Sequence, residues 1–305
     1  MIEDLNMDKN IKLALLGGDA RQCYLARELA ARGFETAVWG LGKEFDIDKA
    51  VKCRDARSAI DSASAVILPL PASLDGMTVN CSDPDSDKLK LLTLLDYIDV
   101  PIFGGRLGES FRLSASARKK HVIDYFESET LQIKNATPTA EGAIYLAMQN
   151  MKKTLFGSRV AVVGYGRIGR MLSCLLAKMG ASVTVAARNL RQLAEASSFG
   201  NDTVRISSSY ALGGLGPLCE EGAFDVIFNT VPARLFDKEL IEMLPKDVLL
   251  IDLASVPGGV DFAAAKERGI NAIWALSLPG KYAPESAGKI IADTLDELFE
   301  SEGIV

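Results

Sequence analysis

Short apolar runs alternate with amphipathic helical stretches along almost the whole chain, and twice such a run ends in a glycine turn that opens a helix. This alternation predicts an α/β fold of two doubly wound parallel sheets, each covered by helices on both faces. At 305 residues the chain has the length for two domains of ordinary size.

The second glycine turn is the more informative. Val160-Ala161-Val162-Val163 reads as a buried strand, and Gly164-Tyr165-Gly166-Arg167-Ile168-Gly169 follows it as G-x-G-x-x-G, opening a helix from Arg167 to about Met179. Gly164 permits the tight turn, Gly166 lets a pyrophosphate approach the backbone, and Gly169 lets the helix pack closely on the sheet. A diphosphate there meets the N–H groups and positive dipole end of the helix. Strand, turn and helix together make this a Rossmann-like dinucleotide site that includes Tyr165, Arg167 and Ile168.

The next strand, Ala181 to Ala187, ends about twenty residues beyond the glycines, where an NAD enzyme usually carries a carboxylate. This chain has Arg188-Asn189, with Arg191 close behind. A guanidinium is planar, permanently charged and forked, which suits a 2′-phosphate. The plainer alternative is a solvated arginine opening a surface helix. NADP is the expected coenzyme.

Composition narrows the class further. The chain is 48% hydrophobic and 24% charged, as a soluble globular protein is. A net charge of −6 argues against a nucleic-acid surface. No apolar run approaches the roughly 18 residues that span a bilayer, and Met1-Ile2-Glu3-Asp4 has no signal-peptide character. Five cysteines, Cys23, Cys53, Cys81, Cys174 and Cys219, form no C-x-x-C pair and read as reduced thiols of a cytosolic protein, Cys174 packed on the helix after the glycine turn. With one histidine, neither a zinc site nor a Ser-His-Asp triad is expected.

Residues 1–136 read as a first array. Its strands are Lys12–Leu16, Glu35–Trp39, Ala65–Leu68 and Val100–Phe103, and its helices are Arg21–Ala31, Lys88–Tyr97 and Ser114–Phe126. It has a glycine turn, Gly17-Gly18-Asp19-Ala20-Arg21, without the full fingerprint. That turn is assigned an anionic substrate rather than a coenzyme. Thr137-Pro138-Thr139-Ala140-Glu141 predicts a linker helix over 137–156, with Thr137 as cap, Pro138 in the first turn and Glu141 facing the positive dipole end.

The second array, 157–283, continues through strands Asp225–Asn229, Val248–Asp252 and Asn271–Trp274, and Gly213–Pro217 reads as a loop. Ligands of open α/β sheets bind at the carboxyl ends of strands. Three loops there are assigned to the coenzyme: Asn229-Thr230-Val231-Pro232, Asp252-Leu253-Ala254-Ser255 with the glycines that follow, and Leu276-Ser277-Leu278-Pro279-Gly280. Taken singly, each is also simply a Pro/Gly loop ending a strand. The last helix, Pro284 to about Glu300 within 284–305, is expected to pack back across the interdomain region.

Gly17-Gly18-Asp19-Ala20-Arg21-Gln22, the Gly164 fingerprint with Ala187-Arg188-Asn189, Asn229-Thr230-Val231-Pro232, and Leu278-Pro279-Gly280-Lys281-Tyr282-Ala283-Pro284 with Ser286-Ala287-Gly288 together resemble the A-subunit family of dipicolinate synthases. The resemblance spans nearly the whole chain, and its first and last stretches are the most specific. It implies NADP-linked aromatisation of a dihydrodipicolinate-type ring from the lysine pathway to pyridine-2,6-dicarboxylate. It also implies a partner, a flavoprotein-like B subunit, and a setting, the mother-cell cytoplasm of a sporulating bacterium. A homo-oligomer is compatible with it.

That chemistry removes a hydride and a proton from a cyclic dicarboxylate, so the protein has to place the ring and neutralise two carboxylates. Candidate anchors are Arg21, Ser73, Thr139 and Ser286, with helix N-termini favouring carboxylates. Pairing of Arg21 with Asp19, and helix-start roles for Thr139 and Ser286, are the structural alternatives. Glu141 is the candidate base, ahead of a mid-helix His121, and solvent is a third acceptor. Two other readings stay open: a D-2-hydroxyacid-dehydrogenase-like oxidoreductase, against which the lack of a histidine beyond 121 counts, and an NADP-binding regulatory subunit with the chemistry on a partner.

Overall fold

In a computed structural model that describes residues 11–86, 88–207 and 214–305, the apolar runs of the first half become six parallel strands. These are β1 (Lys12–Leu16), β2 (Glu35–Trp39), β3 (Val51–Lys52), β4 (Ala65–Ile67), β5 (Ile102–Gly104) and β6 (Val122–Asp124), ordered β3-β2-β1-β4-β5-β6. Helices α1 (Ala20–Ala31), α2 (Ala56–Ile60), α3 (Leu91–Leu94) and α4 (Glu109–Ala117) connect them. The long helix α5 (Glu129–Asn150) follows. The second half repeats the plan with β7 (Arg159–Val163), α6 (Arg167–Lys178), β8 (Ser182–Ala187), α7 (Leu190–Ser198), β9 (Asp202–Arg205), β10 (Val226–Asn229), α8 (Lys238–Met243), β11 (Leu249–Asp252), α9 (Phe262–Arg268), β12 (Asn271–Trp274) and α10 (Leu278–Tyr282). Its sheet order is β12-β11-β10-β7-β8-β9, again parallel throughout. The chain ends in α11 (Pro284–Ser301).

Two compact units result. One runs to Asn135 and takes in Ala283–Val305, and the other is Ala136–Tyr282. Both sheets carry the doubly wound order in which the first strand sits beside the fourth, which makes the β1/β4 and β7/β10 edges the switch points where such sheets take ligands.

In the first unit α11 lies along α1. Its inward face is Ala287, Ile291, Ala292, Leu295 and Phe299 at helical spacing, all buried. Gly288 brings the two helices together, since a Cβ there would lie 2.8 Å from the Arg21 carbonyl oxygen. Phe299 is wholly buried and meets Phe34 and Phe103 edge-on, at centroid distances of 5.8 and 5.1 Å. Across the same contact Arg32 binds Glu28, Asp293 and Asp296, and these carboxylates hold its guanidinium pKa above the ordinary value despite burial.

Several expected boundaries move. α5 starts at Glu129, not Thr137, because Ser128 caps it by accepting the Leu131 N–H (3.2 Å) and Glu129 lies in the first turn. Pro138 is interior, and the run of buried Ala136, Ala140, Ala143, Ile144 and Ala147 carries the helix through the missing N–H. The expected helix over Ser114–Phe126 is α4 followed by β6. The chain turns at Lys119 (φ 55°), and Asp124 fastens the new strand by accepting the N–H groups of Arg106, Leu107 and Phe126 and the Arg112 guanidinium. The helix expected over Lys88–Tyr97 shrinks to α3, because the backbone at Leu89 and Leu91 pairs with Val79 and Met77. Cys174 is exposed, on the side of α6 opposite buried Leu172, Ser173 and Leu176.

Gly216 and Pro217, at the end of the loop expected over Gly213–Pro217, open a 3-10 turn, Gly216–Cys219. Gly213 and Met1–Asp4 lie outside the described residues. The Phe34–Phe103–Phe299 cluster generates a prediction: Phe299→Ala should destabilise the chain by about 3–5 kcal/mol in urea unfolding, and a loss below about 1 kcal/mol would contradict this packing.

Candidate functional site

The glycine turn of the second unit explains itself position by position. Gly164 takes φ +98° and donates its N–H to the Ala186 carbonyl (2.7 Å), and a Cβ there would sit 2.3 Å from Thr230 Oγ1. A Cβ on Gly169 would lie 2.1 Å from the Gly164 carbonyl oxygen, so backbone touches backbone where α6 starts. Gly166 differs: its φ is −83°, and apart from its own chain neighbours nothing lies within 4 Å of where its Cβ would be. Neither strain nor internal packing therefore requires glycine at 166. Gly166 is also the N-cap of α6 and brings no side-chain cap, which leaves the helix start to meet an anion.

Around the turn, Tyr165 is buried, and burial pushes its hydroxyl pKa up. The Arg170 guanidinium lies over its ring (5.4 Å), donates to the Tyr165 carbonyl and pairs with Glu195 of α7 at 2.9 Å. Arg167 is exposed and Ile168 half-buried. Arg188 stands exposed at the carboxyl end of β8 and makes no ion pair among the described residues. Asn189 caps α7 by accepting the Arg191 N–H (2.8 Å), so its side chain has a structural task of its own.

The strand-end loops divide. Thr230 donates both its N–H (2.8 Å) and its hydroxyl (3.0 Å) to the Val163 carbonyl and so abuts the glycine turn, with Val231 half-buried and Pro232 exposed beyond it. Leu253 and Ala254 are buried, and Ser255 is half-buried. Leu278 and Pro279 do not lie in a loop. They open α10 and are buried, Leu278 as part of the core beside Gly142, because Ser277 turns the chain (φ 58°) one residue earlier.

Two residues that open the loops assigned to the coenzyme form a pair that the sequence does not show. Asn229 and Asp252, each with no exposed surface, end neighbouring strands and pair with each other. The signal of the pair is a polar residue closing each of two otherwise apolar strands, Val-Ile-Phe-Asn and Leu-Leu-Ile-Asp.

In the first unit the glycine turn assigned to an anionic substrate is met by the chain's own backbone. Gly17 donates its N–H to the Trp39 carbonyl and Gly18 to the Asn80 carbonyl, both at 2.6 Å, and the Asn80 oxygen lies 2.4 Å from where a Gly17 Cβ would be. The chain's own backbone thus covers the turn. Arg21 is buried, its fork spent on Asp19 (Nε 3.0 Å, Nη2 2.7 Å). Ser73 donates to Asp75 (2.9 Å), whose carboxyl is held well below the usual range by the N–H groups of Thr78 and Met77 and the hydroxyls of Thr78 and Ser73.

Ser286 is exposed in the first turn of α11, as expected. Thr139 and Glu141 lose their helix-start rationale, since both lie inside α5, Thr139 buried and Glu141 exposed. His121 is not helical: it precedes β6, with Nε2 2.6 Å from Glu302 Oε2. Among the described residues no group of three or more His, Cys, Asp or Glu is placed to hold a metal, and no helix is long and apolar enough to cross a membrane.

Two parallel sheets of this order, one opening a bare helix N-terminus at its switch point, define a Rossmann protein on the two-unit plan of dehydrogenases. The family described as the N-terminal domain of the dipicolinate synthase A subunit matches residues 12–126. The A subunit of dipicolinate synthase from Bacillus subtilis (strain 168) is 32% identical over 302 residues, 95% of this chain and 96% of that protein. The crystal structure of the A subunit of dipicolinate synthase from Bacillus halodurans superimposes with a TM-score of 0.85 at 29% identity, covering 96% of this chain and 99% of that one. The chain belongs to the A-subunit family of dipicolinate synthases. Over 97 residues, 32% of its length, it is also 34% identical to NADP-dependent alcohol dehydrogenase C of Mycobacterium bovis.

The contrast within the glycine turn is measurable. Gly169→Ala should cost about 1–3 kcal/mol by overpacking, whereas Gly166→Ala should change stability by no more than about 0.5 kcal/mol. Urea unfolding of both variants checks this, and equal losses would contradict the assigned geometry.

Proposed function

We propose that this chain is an NADP-linked oxidoreductase that aromatises a dihydrodipicolinate-type ring to pyridine-2,6-dicarboxylate, acting with a second, B-type subunit. The observation that carries the coenzyme part is Gly166. It is a glycine with no packing reason to be one, set at an uncapped helix start between two glycines that packing does explain. Arg188, exposed and without an ion pair among the described residues, supports the choice of NADP over NAD, as does the local likeness to an NADP-dependent alcohol dehydrogenase. The ring chemistry and the partner rest on family membership, since the relatives are named as the A subunit of dipicolinate synthase. The proposed setting is the mother-cell cytoplasm of a sporulating bacterium.

When bound, the nicotinamide accepts the hydride. The protein's share is to hold the ring's carboxylates and to dispose of a proton. Arg21, through the Nη1 that its pair with Asp19 does not use, and Ser286 are the proposed carboxylate anchors. Ser73 and Thr139 remain weaker candidates, one tied to Asp75 and the other inside α5. Glu141, exposed on α5, is the proposed proton acceptor. A second reading, a coenzyme-binding subunit whose chemistry needs its partner, is favoured by the backbone-covered glycine turn of the first unit.

Purified chain given a dihydrodipicolinate and NADP should raise the near-ultraviolet absorbance of reduced coenzyme. Activity that appears only on adding the B-type subunit would favour the second reading. Arg188→Asp should weaken NADP binding by about tenfold or more, as loss of a charge-assisted pair does, with NAD changed about twofold at most. Equal losses for both coenzymes, read by calorimetric titration, would overturn recognition of the 2′-phosphate by Arg188.

A further inference from the structure

We propose that Asn229 and Asp252 are positioning residues for the nicotinamide half of the coenzyme, an inference that rests on the coenzyme reading above. They are register partners at the carboxyl ends of β10 and β11, and both side chains are wholly buried. Asn229 Nδ2 donates to Asp252 Oδ1 (2.8 Å) and to the Val231 carbonyl (3.1 Å), while Asn229 Oδ1 accepts the Val231 N–H (3.1 Å). Asp252 Oδ1 also accepts the Ala254 N–H (3.1 Å), and Oδ2 accepts the Gly259 N–H (2.8 Å). Apart from the bond between the two side chains, every one of these hydrogen bonds ends on backbone of the two loops that leave the strands.

The loops close on each other through this pair. A Cβ on Gly259 would lie 2.1 Å from Asn229 Nδ2 and 2.8 Å from the Val231 carbonyl oxygen, so the second loop is pressed onto the first. Trp274 holds the far side, its Nε1 donating to the Ala254 carbonyl (3.0 Å). On the near side Thr230 is bonded to Val163, against Gly164 of the glycine turn. A single run of contacts therefore joins the glycine turn, the 229–232 loop and the 252–259 loop.

A buried amide–carboxylate pair carries a desolvation cost that an apolar pair would not, and the other positions of β10 and β11 are apolar. Strand stability alone does not account for it. What it accomplishes is to fix two loops at the switch-point end of the sheet, where a coenzyme lying over Gly166 extends beyond its diphosphate. The adenosine half, by contrast, would rest on the glycine turn and Arg188, which touch neither side chain.

This division gives the test. The affinities of the full chain for NADP and for 2′,5′-ADP, which is the adenosine half alone, are compared before and after Asp252→Asn. The substitution keeps the shape but sets a donor against an N–H that needs an acceptor. NADP affinity should fall about tenfold, the effect of one buried hydrogen-bonding group left unsatisfied, while 2′,5′-ADP affinity stays within about twofold. Retained 2′,5′-ADP binding also shows that the second unit is folded. If Asp252→Asn does not fold, Asn229→Ser, which keeps the carboxylate on its two amides, takes its place with the same expectation. Parallel loss of both ligands in a folded variant, or no loss of either, would overturn the inference. Failure of the unsubstituted chain to bind NADP would instead overturn the coenzyme reading itself.

Discussion

The contact of Gly169 with the Gly164 carbonyl is the constraint on which the rest of the second unit depends. A helix can begin so close to the end of a strand only if neither residue brings a side chain. That contact sets the first turn of α6 at the switch point between β7 and β10, and it leaves Gly166 on the outside of the bend. Thr230 meets the same bend from the neighbouring strand, and Asn229 beside it binds Asp252, where the loop after β11 begins. One backbone-to-backbone approach thus sets the start of α6 beside the loop after β10.

The two units show how little strand order says about binding. Both sheets have the same order, and each has a glycine turn after its first strand. In the first unit the Asn80 carbonyl takes up the Gly18 N–H, and chain covers the turn. In the second the N-cap position, filled by Asp19 in the first unit, is Gly166, which brings no side-chain cap and faces open space. The two turns thus differ in what their backbone meets, not in the fold that carries them.

Much of the architecture was legible in the sequence because buried parallel strands are apolar runs closed by turn residues. β1, β2, β7 and β12 stand where they were read, as does the start of α11 at Pro284. Helix boundaries were less legible. Thr137-Pro138 looks like a helix start, but the alanine face of α5 needs the longer helix that Ser128 caps. β6 was hidden because Val122-Ile123 follows α4 after only the four polar residues Arg118 to His121, with the positive-φ Lys119 among them. The glycine fingerprint could be read because each glycine answers a local demand. The covering of Gly18 by Asn80 could not, because the partner lies about sixty residues away in a segment with no motif of its own. Asn229 and Asp252 were legible as openings of coenzyme loops, but their pairing needed the register.

The central claim is that the second unit holds NADP with its diphosphate over Gly166. A crystal structure of the chain grown with NADP tests it most directly. The account predicts diphosphate density against the first turn of α6 and the 2′-phosphate within hydrogen-bonding distance of Arg188. Coenzyme density seated elsewhere on the chain, or a saturating coenzyme concentration that leaves this turn without it, would contradict the account.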